Sequence, residues 1–215
     1  DIDGETDYEK SGSAVSLSND GKTVVIGAPY NADAGSDAGH ARVYKYDSGI
    51  GDWSELFVKI NGESAGDESG YSVSFNDDGS LLAVASPGSG SNAGKVRLFR
   101  LNDDGTRSEL GCGLTSDIVG EGSGSSVSLS ADGSTLLVGA IYNGEAGSNA
   151  GQVRVYDTGI SSGSHSFGCG AIGGLAGDFG GGTLNGANTW VNNTGGNATS
   201  CWGSGNPTVI GSCTP

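Results

Sequence analysis

Two stretches of this 215-residue chain fit Gly-x-Ser-x-Gly: Gly62-Glu63-Ser64-Ala65-Gly66 and Gly159-Ile160-Ser161-Ser162-Gly163. That spacing could hold a serine nucleophile on a sharp turn for acyl transfer. The chemistry needs a strand before the serine, a helix after it and a histidine downstream. Neither stretch has a helix-forming neighbourhood, and the only histidines are His40 and His165. His40 stands where the other repeats described below carry Lys95 and Gln152, so it is expected at an exposed edge. Gly168-Cys169-Gly170-Ala171-Ile172-Gly173 fits Gly-x-Gly-x-x-Gly, but no βαβ pattern surrounds it. With 42 glycines in the chain, such matches follow from composition. A secreted hydrolase built on Ser64 or Ser161 is therefore the weaker reading, and the chain is expected not to be an enzyme.

Other residue types point to surroundings rather than catalysis. Cys112, Cys169, Cys201 and Cys213 contain no Cys-x-x-Cys pair, which argues against a zinc site or redox dithiol. Spacing favours a local Cys201–Cys213 loop and a Cys112–Cys169 bridge between equivalent repeat ends. Asn192-Asn193-Thr194 and Asn197-Ala198-Thr199 are glycosylation sequons at Asn192 and Asn197, and beside cysteines they favour an extracellular or cell-surface location. The chain begins at Asp1 and lacks Met, as expected of a processed product or fragment. Asp1, Asp3, Glu5, Asp7 and Glu9 alternate, which would align five carboxylates on one face of an extended segment. A water-facing edge protected by charge is the plainer reading of that run. The formal charge of −15 excludes nucleic acid and anionic membrane as natural partners, and no long apolar span is present.

These residues must be positioned by a repeated element. Gly12, Gly70 and Gly124 recur at spacings of 58 and 54 residues within SGSAVSLSNDGKTVVIGA, SGYSVSFNDDGSLLAVAS and SGSSVSLSADGSTLLVGA. Alternation in Val15–Ser18, Val73–Asn76 and Val127–Ser130 predicts strands with one buried face. Asp20-Gly21, Asp78-Gly79 and Asp132-Gly133 predict tight hairpin turns. The apolar runs 23–28, 81–85 and 135–140 predict central strands buried on both faces. Third strands follow at 41–44, 96–99 and 153–156, with Arg42, Arg97 and Arg154 in register. Weaker fourth strands include 53–58 and 108–110. The result is an all-β chain of four-stranded, propeller-like blades, with units at about 1–57, 58–113 and 114–170. Cys112 and Cys169 lie 15 residues after Arg97 and Arg154, each within Gly-Cys-Gly.

The pattern Ser-Gly-x-x-Val-Ser-Leu-Ser-x-Asp-Gly, an apolar run into Gly-Ala-Pro, then Val-Tyr, resembles the FG-GAP repeats of integrin-α-type β-propellers over residues 1–160. The resemblance implies four-stranded blades and a role in adhesion or extracellular recognition. Calcium-binding members carry Asp-x-Asp-x-Asp-Gly between the first two strands. Here only Asn76-Asp77-Asp78 approaches it, and calcium wants about six to eight oxygens. No cofactor is firmly expected; calcium at Asn76, Asp77 and Asp78 is the one candidate, against a solvated turn as the default.

Residues 161–215 are rich in Gly, Asn, Thr and Ser, carry three of the four cysteines, and contain no Lys or Arg. They read as a disulfide-stapled cap, connector or degenerate fourth blade, since Ala176-Gly177-Asp178 echoes Ala65-Gly66-Asp67; a glycosylated tail is the alternative. Trp190 and Trp202 could stack on a sugar or pack a small core. Closed propellers need about four or more blades, so three clear units leave faces to be covered. The expected partners are other copies of the chain, in an oligomer or filament, with glycans or surface proteins as further candidates. The expected function is a non-enzymatic structural or adhesion component of a surface assembly or fibre. The alternative is a lectin-like or cation-assisted ligand-binding module.

Overall fold

The Asp-Gly turns set the geometry of every repeat. Gly21, Gly79 and Gly133 all sit at φ +71°, a conformation that carries little penalty only for glycine. The preceding aspartate closes each turn: Asp20 Oδ1 accepts from the Lys22 amide at 2.9 Å, Asp78 Oδ1 from Ser80 at 2.8 Å and Asp132 Oδ1 from Ser134 at 3.0 Å. Antiparallel strands leave these turns in the order expected.

The computed structural model describes residues 1–56, 59–102 and 104–159, and the backbone of two strands at 189–191 and 197–201. The chain divides into two compact units, Asp1–Gly174 and Leu175–Pro215. In the first unit, one sheet joins β1 (Ala14–Leu17), β2 (Thr23–Ala28), β3 (His40–Asp47), β4 (Asp52–Glu55) and β5 (Ile60–Asn61). The second joins β6 (Ser72–Phe75), β7 (Leu81–Ser86), β8 (Lys95–Leu101), β9 (Arg107–Glu109) and β10 (Leu114–Thr115). The third joins β11 (Ser123–Leu129), β12 (Thr135–Ala140) and β13 (Gln152–Asp157). In the second unit, β14 (Thr189–Val191) pairs antiparallel with β15 (Asn197–Cys201). The all-β class is thus observed, as several antiparallel sheets. Among the described residues no helix is long and apolar enough to cross a membrane.

The outer strand differs from its expected form. It is split in both complete blades, because four residues face two: β3 pairs with Glu55 at Tyr44 and then with Ile60 at Ala41, and β8 pairs with Glu109 at Phe99 and then with Leu114 at Val96. In the second blade the extra residues fall within Leu110-Gly111-Cys112-Gly113, whose two glycines have φ +73° and +79°. Cys112, at the centre of this bulge, is disulfide-bonded.

The sheets stack face to face, and each interface has its own core. Val25, Ala41 and Val43 of the first blade meet Val73, Phe75, Leu82, Val84 and Phe99 of the second. On its other side, the second blade offers Ala83, Val96 and Leu98 to Leu129, Leu136 and Val138 of the third. Strand β7 is therefore buried on both faces, as its unbroken apolar run demands. Strand β12 departs from that expectation. Leu136 and Val138 face inward, but Leu137 is exposed because its side of the third blade meets no further sheet among the described residues.

Candidate functional site

The internal contacts between blades follow a repeated pattern. Serines of one inner strand accept amide hydrogens from the next blade's inner strand. Phe75 donates to Ser16 Oγ, Val127 to Ser72 Oγ and Leu129 to Ser74 Oγ, each at 3.0 Å. Hairpin turns are linked in the same way, Asn19 N to Asp77 O at 2.8 Å and Asp77 N to Ala131 O at 3.0 Å. At the loop before the third strand, Ser69 N donates to Ala38 O at 2.8 Å and Ser123 N to Ala93 O at 3.0 Å. Gly39 and Gly94 allow this approach: a Cβ on either would collide with the backbone of Ser69 or Ser123.

Among the described residues, the same positions lie open on the trailing face of the third blade and, in part, on the leading face of the first. Val25, Ala41 and Val43 are fully buried, and their second-blade equivalents Ala83, Val96 and Leu98 are at most 2% exposed. Their third-blade equivalents Leu137, Val153 and Val155 are 40%, 62% and 63% exposed. Ser126 and Ser128, the counterparts of Ser72 and Ser74, are exposed beside them. At Gly151, equivalent to Gly94, the nearest atom to an added Cβ would be Ile141 O at 3.5 Å, within its own blade. At the other end, Val15 and Leu17 are 64% and 55% exposed, whereas their counterparts Val73 and Phe75 are buried. Among the described residues the third blade's trailing face is thus unpaired, whereas the first blade's leading face is open only at its inner strand: Ile26, Arg42 and Tyr44 are buried, and Arg42 is held by Asp3 O and Ser11 Oγ of the N-terminal segment.

Each blade also holds a buried acid that the sequence reading missed. Glu9, Asp67 and Glu121 are all at least nine-tenths buried. Glu121 takes a bidentate contact from the Arg154 guanidinium, Nη2 lying 2.8 Å from Oε2, and accepts from Asn143 Nδ2 at 2.6 Å. Burial pushes its carboxyl up, but the hydrogen bonds from Arg154, Ser116 and Asn143 outweigh this and hold it below the usual range. Glu9 accepts from Asn31 Nδ2 at 2.8 Å and from the Glu5 amide at 2.7 Å. Asp67 instead closes a local turn, accepting from the amides of Glu63 and Ser64. An acid three residues before each repeat's Gly, in Glu9-Lys-Ser-Gly, Asp67-Glu-Ser-Gly and Glu121-Gly-Ser-Gly, was the available signal.

The N-terminal carboxylates do not share one strand face. Glu9 is buried as described, while Glu5 binds Lys59 Nζ at 2.5 Å, and the same ammonium reaches Asp33 at 2.7 Å. Residues 1–13 form no strand, so the alternation has no pleat to act on. His40 is likewise not an exposed edge residue. It is fully buried, and neither ring nitrogen has a hydrogen-bond partner. Burial lowers its basicity, against the pull of Glu9. The ligand atoms of Glu5, Asp33 and His40 lie within 4.8 Å of one another.

At the expected calcium loop, Asn76 Oδ1 accepts from the Leu81 amide at 2.9 Å, Asp78 caps Ser80, and the Asp77 backbone links neighbouring turns. Ser64 occupies a turn closed by Asp67. Asn197 opens β15 and Cys201 ends it. Asn192, Cys169, Cys213, Ser161, His165, Trp202, the Gly168–Gly173 match and the Ala176–Asp178 echo lie outside the described residues, as do the two expected disulfide pairings.

Stacked antiparallel blades joined by a serine-to-amide pattern define a blade-repeat protein. Residues 3–44 match the FG-GAP repeat family, the family the repeated phrase resembles. No curated protein matches the chain. Among solved structures, it is similar to Kuenenia stuttgartiensis hydrazine synthase at 18% identity and TM-score 0.41, over 74% of this chain and 36% of that one. It is also similar to the Pseudomonas aeruginosa periplasmic gluconolactonase at 19% identity and TM-score 0.47, over 72% of this chain and 42% of that one. A candidate 6-phosphogluconolactonase from Bacteroides uniformis is similar at 12% identity and TM-score 0.34, over 68% of this chain and 53% of that one. The chain spans about a third to a half of the length of these proteins. The expectation of a chain without enzymatic activity is corrected by this comparison. Proteins named as lactonases are among its structural neighbours.

Proposed function

We propose that this chain is an extracellular structural or adhesion component whose end blades are completed by neighbouring copies in a surface assembly or fibre. The observation that carries this reading is the exposure of Leu137, Val153 and Val155, at positions that are core in the two preceding blades. Contiguous apolar surface of this kind marks an interaction site. The disulfide at Cys112 and the two sequons support an oxidising, extracellular setting. The test is sedimentation of the full chain over a wide concentration range, with electron microscopy of the same samples. Rings or filaments that grow with concentration are expected; a monomer at every concentration would overturn the reading.

A second reading, a cation-assisted ligand-binding module for glycans or surface proteins, is favoured by the buried, unpartnered His40 beside Glu5 and Asp33. Lys59 holds both carboxylates, so a divalent ion would have to displace it. Glycan binding that disappears with a chelator and returns with the ion would support this reading, and binding indifferent to the chelator would end it.

A further inference from the structure

We infer that the contact between copies is head-to-tail: the outer face of the third blade receives the outer face of the first blade of a second copy. This rests on the assembly reading above and names the surface it uses. The open trailing face and the open inner strand of the leading face carry the two halves of a contact that the chain already makes internally, while Ile26, Arg42 and Tyr44 on the leading face are already covered. On the trailing half, Ser126 and Ser128 stand where Ser72 and Ser74 accept the amides of Val127 and Leu129. On the leading half, Val15 and Leu17 stand where Val127 and Leu129 donate. The first internal interface has only one such bond, because Ala14 replaces the first serine. The inferred contact has serine at both positions, so it reproduces the fuller second interface. The turn linkage continues too, with Ala131 N placed to meet the Asn19 carbonyl of the next copy, as Asp77 N meets Ala131 O. The apolar side chains also match in kind: Leu137 and Val153 offer at least the bulk of Ala83 and Val96, and Val155 repeats Val43, at the equivalent faces inside the chain.

A contact between two different faces is heterologous, so it closes into a ring or extends as a filament according to its rotation. A tail-to-tail pairing would instead set serine against serine, with no strand amides opposite them. The amide donors lie only on the first blade's face, and this is what favours head-to-tail.

Two full-length variants separate the alternatives, each placing a charge on one face at an exposed position: Leu17→Asp and Val155→Asp. Circular dichroism and melting matching the parent establish that each folds. Head-to-tail contact predicts that each variant alone sediments as a monomer. Mixed in equal amounts they form a heterodimer and stop there, because each supplies the one face the other lacks. Tail-to-tail contact predicts that Leu17→Asp still dimerises and that mixing changes nothing; head-to-head contact predicts the same of Val155→Asp. Either result overturns the inference while leaving assembly itself intact. A parent chain that never associates overturns the assembly reading instead, including the case where residues 160–215 cover the third blade. As a milder probe, Ser126→Ala with Ser128→Ala removes only the acceptors and is expected to weaken association roughly tenfold. An unchanged affinity in that double variant would remove the serine-to-amide pattern from the contact.

Discussion

Replacing Glu121 by glutamine isolates the charge of one buried acid and leaves its shape in place. Glu121 is 1% exposed, and its carboxylate is held by both terminal nitrogens of Arg154 and by Asn143. Removing one partner of a buried ion pair costs about 3–5 kcal/mol, because the remaining charge stays buried without compensation. Arg154 keeps 15% of its side chain exposed, so water relieves part of that loss, and about 3 kcal/mol is expected. That is roughly a hundredfold in the folding equilibrium. With a urea slope of about 2 kcal/mol per molar, the midpoint should fall by about 1.5 M. Glu9 supplies the control. It sits at the equivalent place with neutral partners, while Arg42 turns to Asp3 O at 2.7 Å and Ser11 Oγ at 3.2 Å. Glu9→Gln therefore strands no cation and should cost only about 1 kcal/mol. Equal losses in the two variants, or a Glu121→Gln midpoint within error of the parent, would refute the account of these acids as charge anchors.

Gly94→Ala and Gly151→Ala share the strain of a positive φ, +94° and +77°, but only the first meets the next blade. Gly94→Ala should cost about 2 kcal/mol more than Gly151→Ala in thermal melts of the dissociated chain, and equal costs would count against backbone contact at the blade seam. Acid should destabilise the fold in two steps. His40 is less basic when buried, so the stability it contributes is present above its ordinary value, about 6.5, and is lost as pH falls towards its lowered folded value. Glu121 and Glu9, lowered by their hydrogen bonds against the opposing effect of burial, and Asp132, held down to about 2 by Ser130 and Ser134, act at lower pH. Their contribution is present above the ordinary carboxylate range and is lost as pH falls through their depressed values. Melting temperatures against pH should show both steps, and His40→Gln should remove the upper one. Because each copy carries a formal charge of −15, association should tighten as salt rises from about 0.05 to 0.3 M, where screening shortens to under about 10 Å; sedimentation that weakens with salt would point to a charge-driven contact instead.

The blades were legible because each level of the sequence agrees. Val-Ser-Leu-Ser alternates with period two, Asp-Gly supplies both the capping carboxylate and the positive φ, and the apolar run after it can only be a central strand. The split outer strand was not legible. Its two extra residues are absorbed opposite Arg97 and Leu98, and the pairing around a bulge depends on the partner strand rather than on local propensity. His40 was misplaced for a related reason. It occupies a position filled by Lys95 and Gln152 in the other blades, and only the packing around the first blade makes that position fully buried. The N-terminal acids misled through periodicity alone, since an alternating run matters only if the chain is extended there.

The outer faces show the limit most directly. Val155 and Leu98 occupy equivalent positions and are chemically alike, yet one is 63% exposed and the other 2%. A sequence repeat specifies each blade's surfaces without recording which of them has a neighbour. Burial is a property of neighbours, and a repeat unit cannot bury its own two faces. The third blade keeps the apolar side chains and serines that serve the second blade as an interface. Had the face evolved only to meet water, Val153, Val155 and Leu137 would be the positions to carry charge, as Asp157 does on the same strand. The repeated phrase therefore places interface chemistry on the open face of the third blade as well as between blades, and that chemistry is what the paired variants at Leu17 and Val155 test.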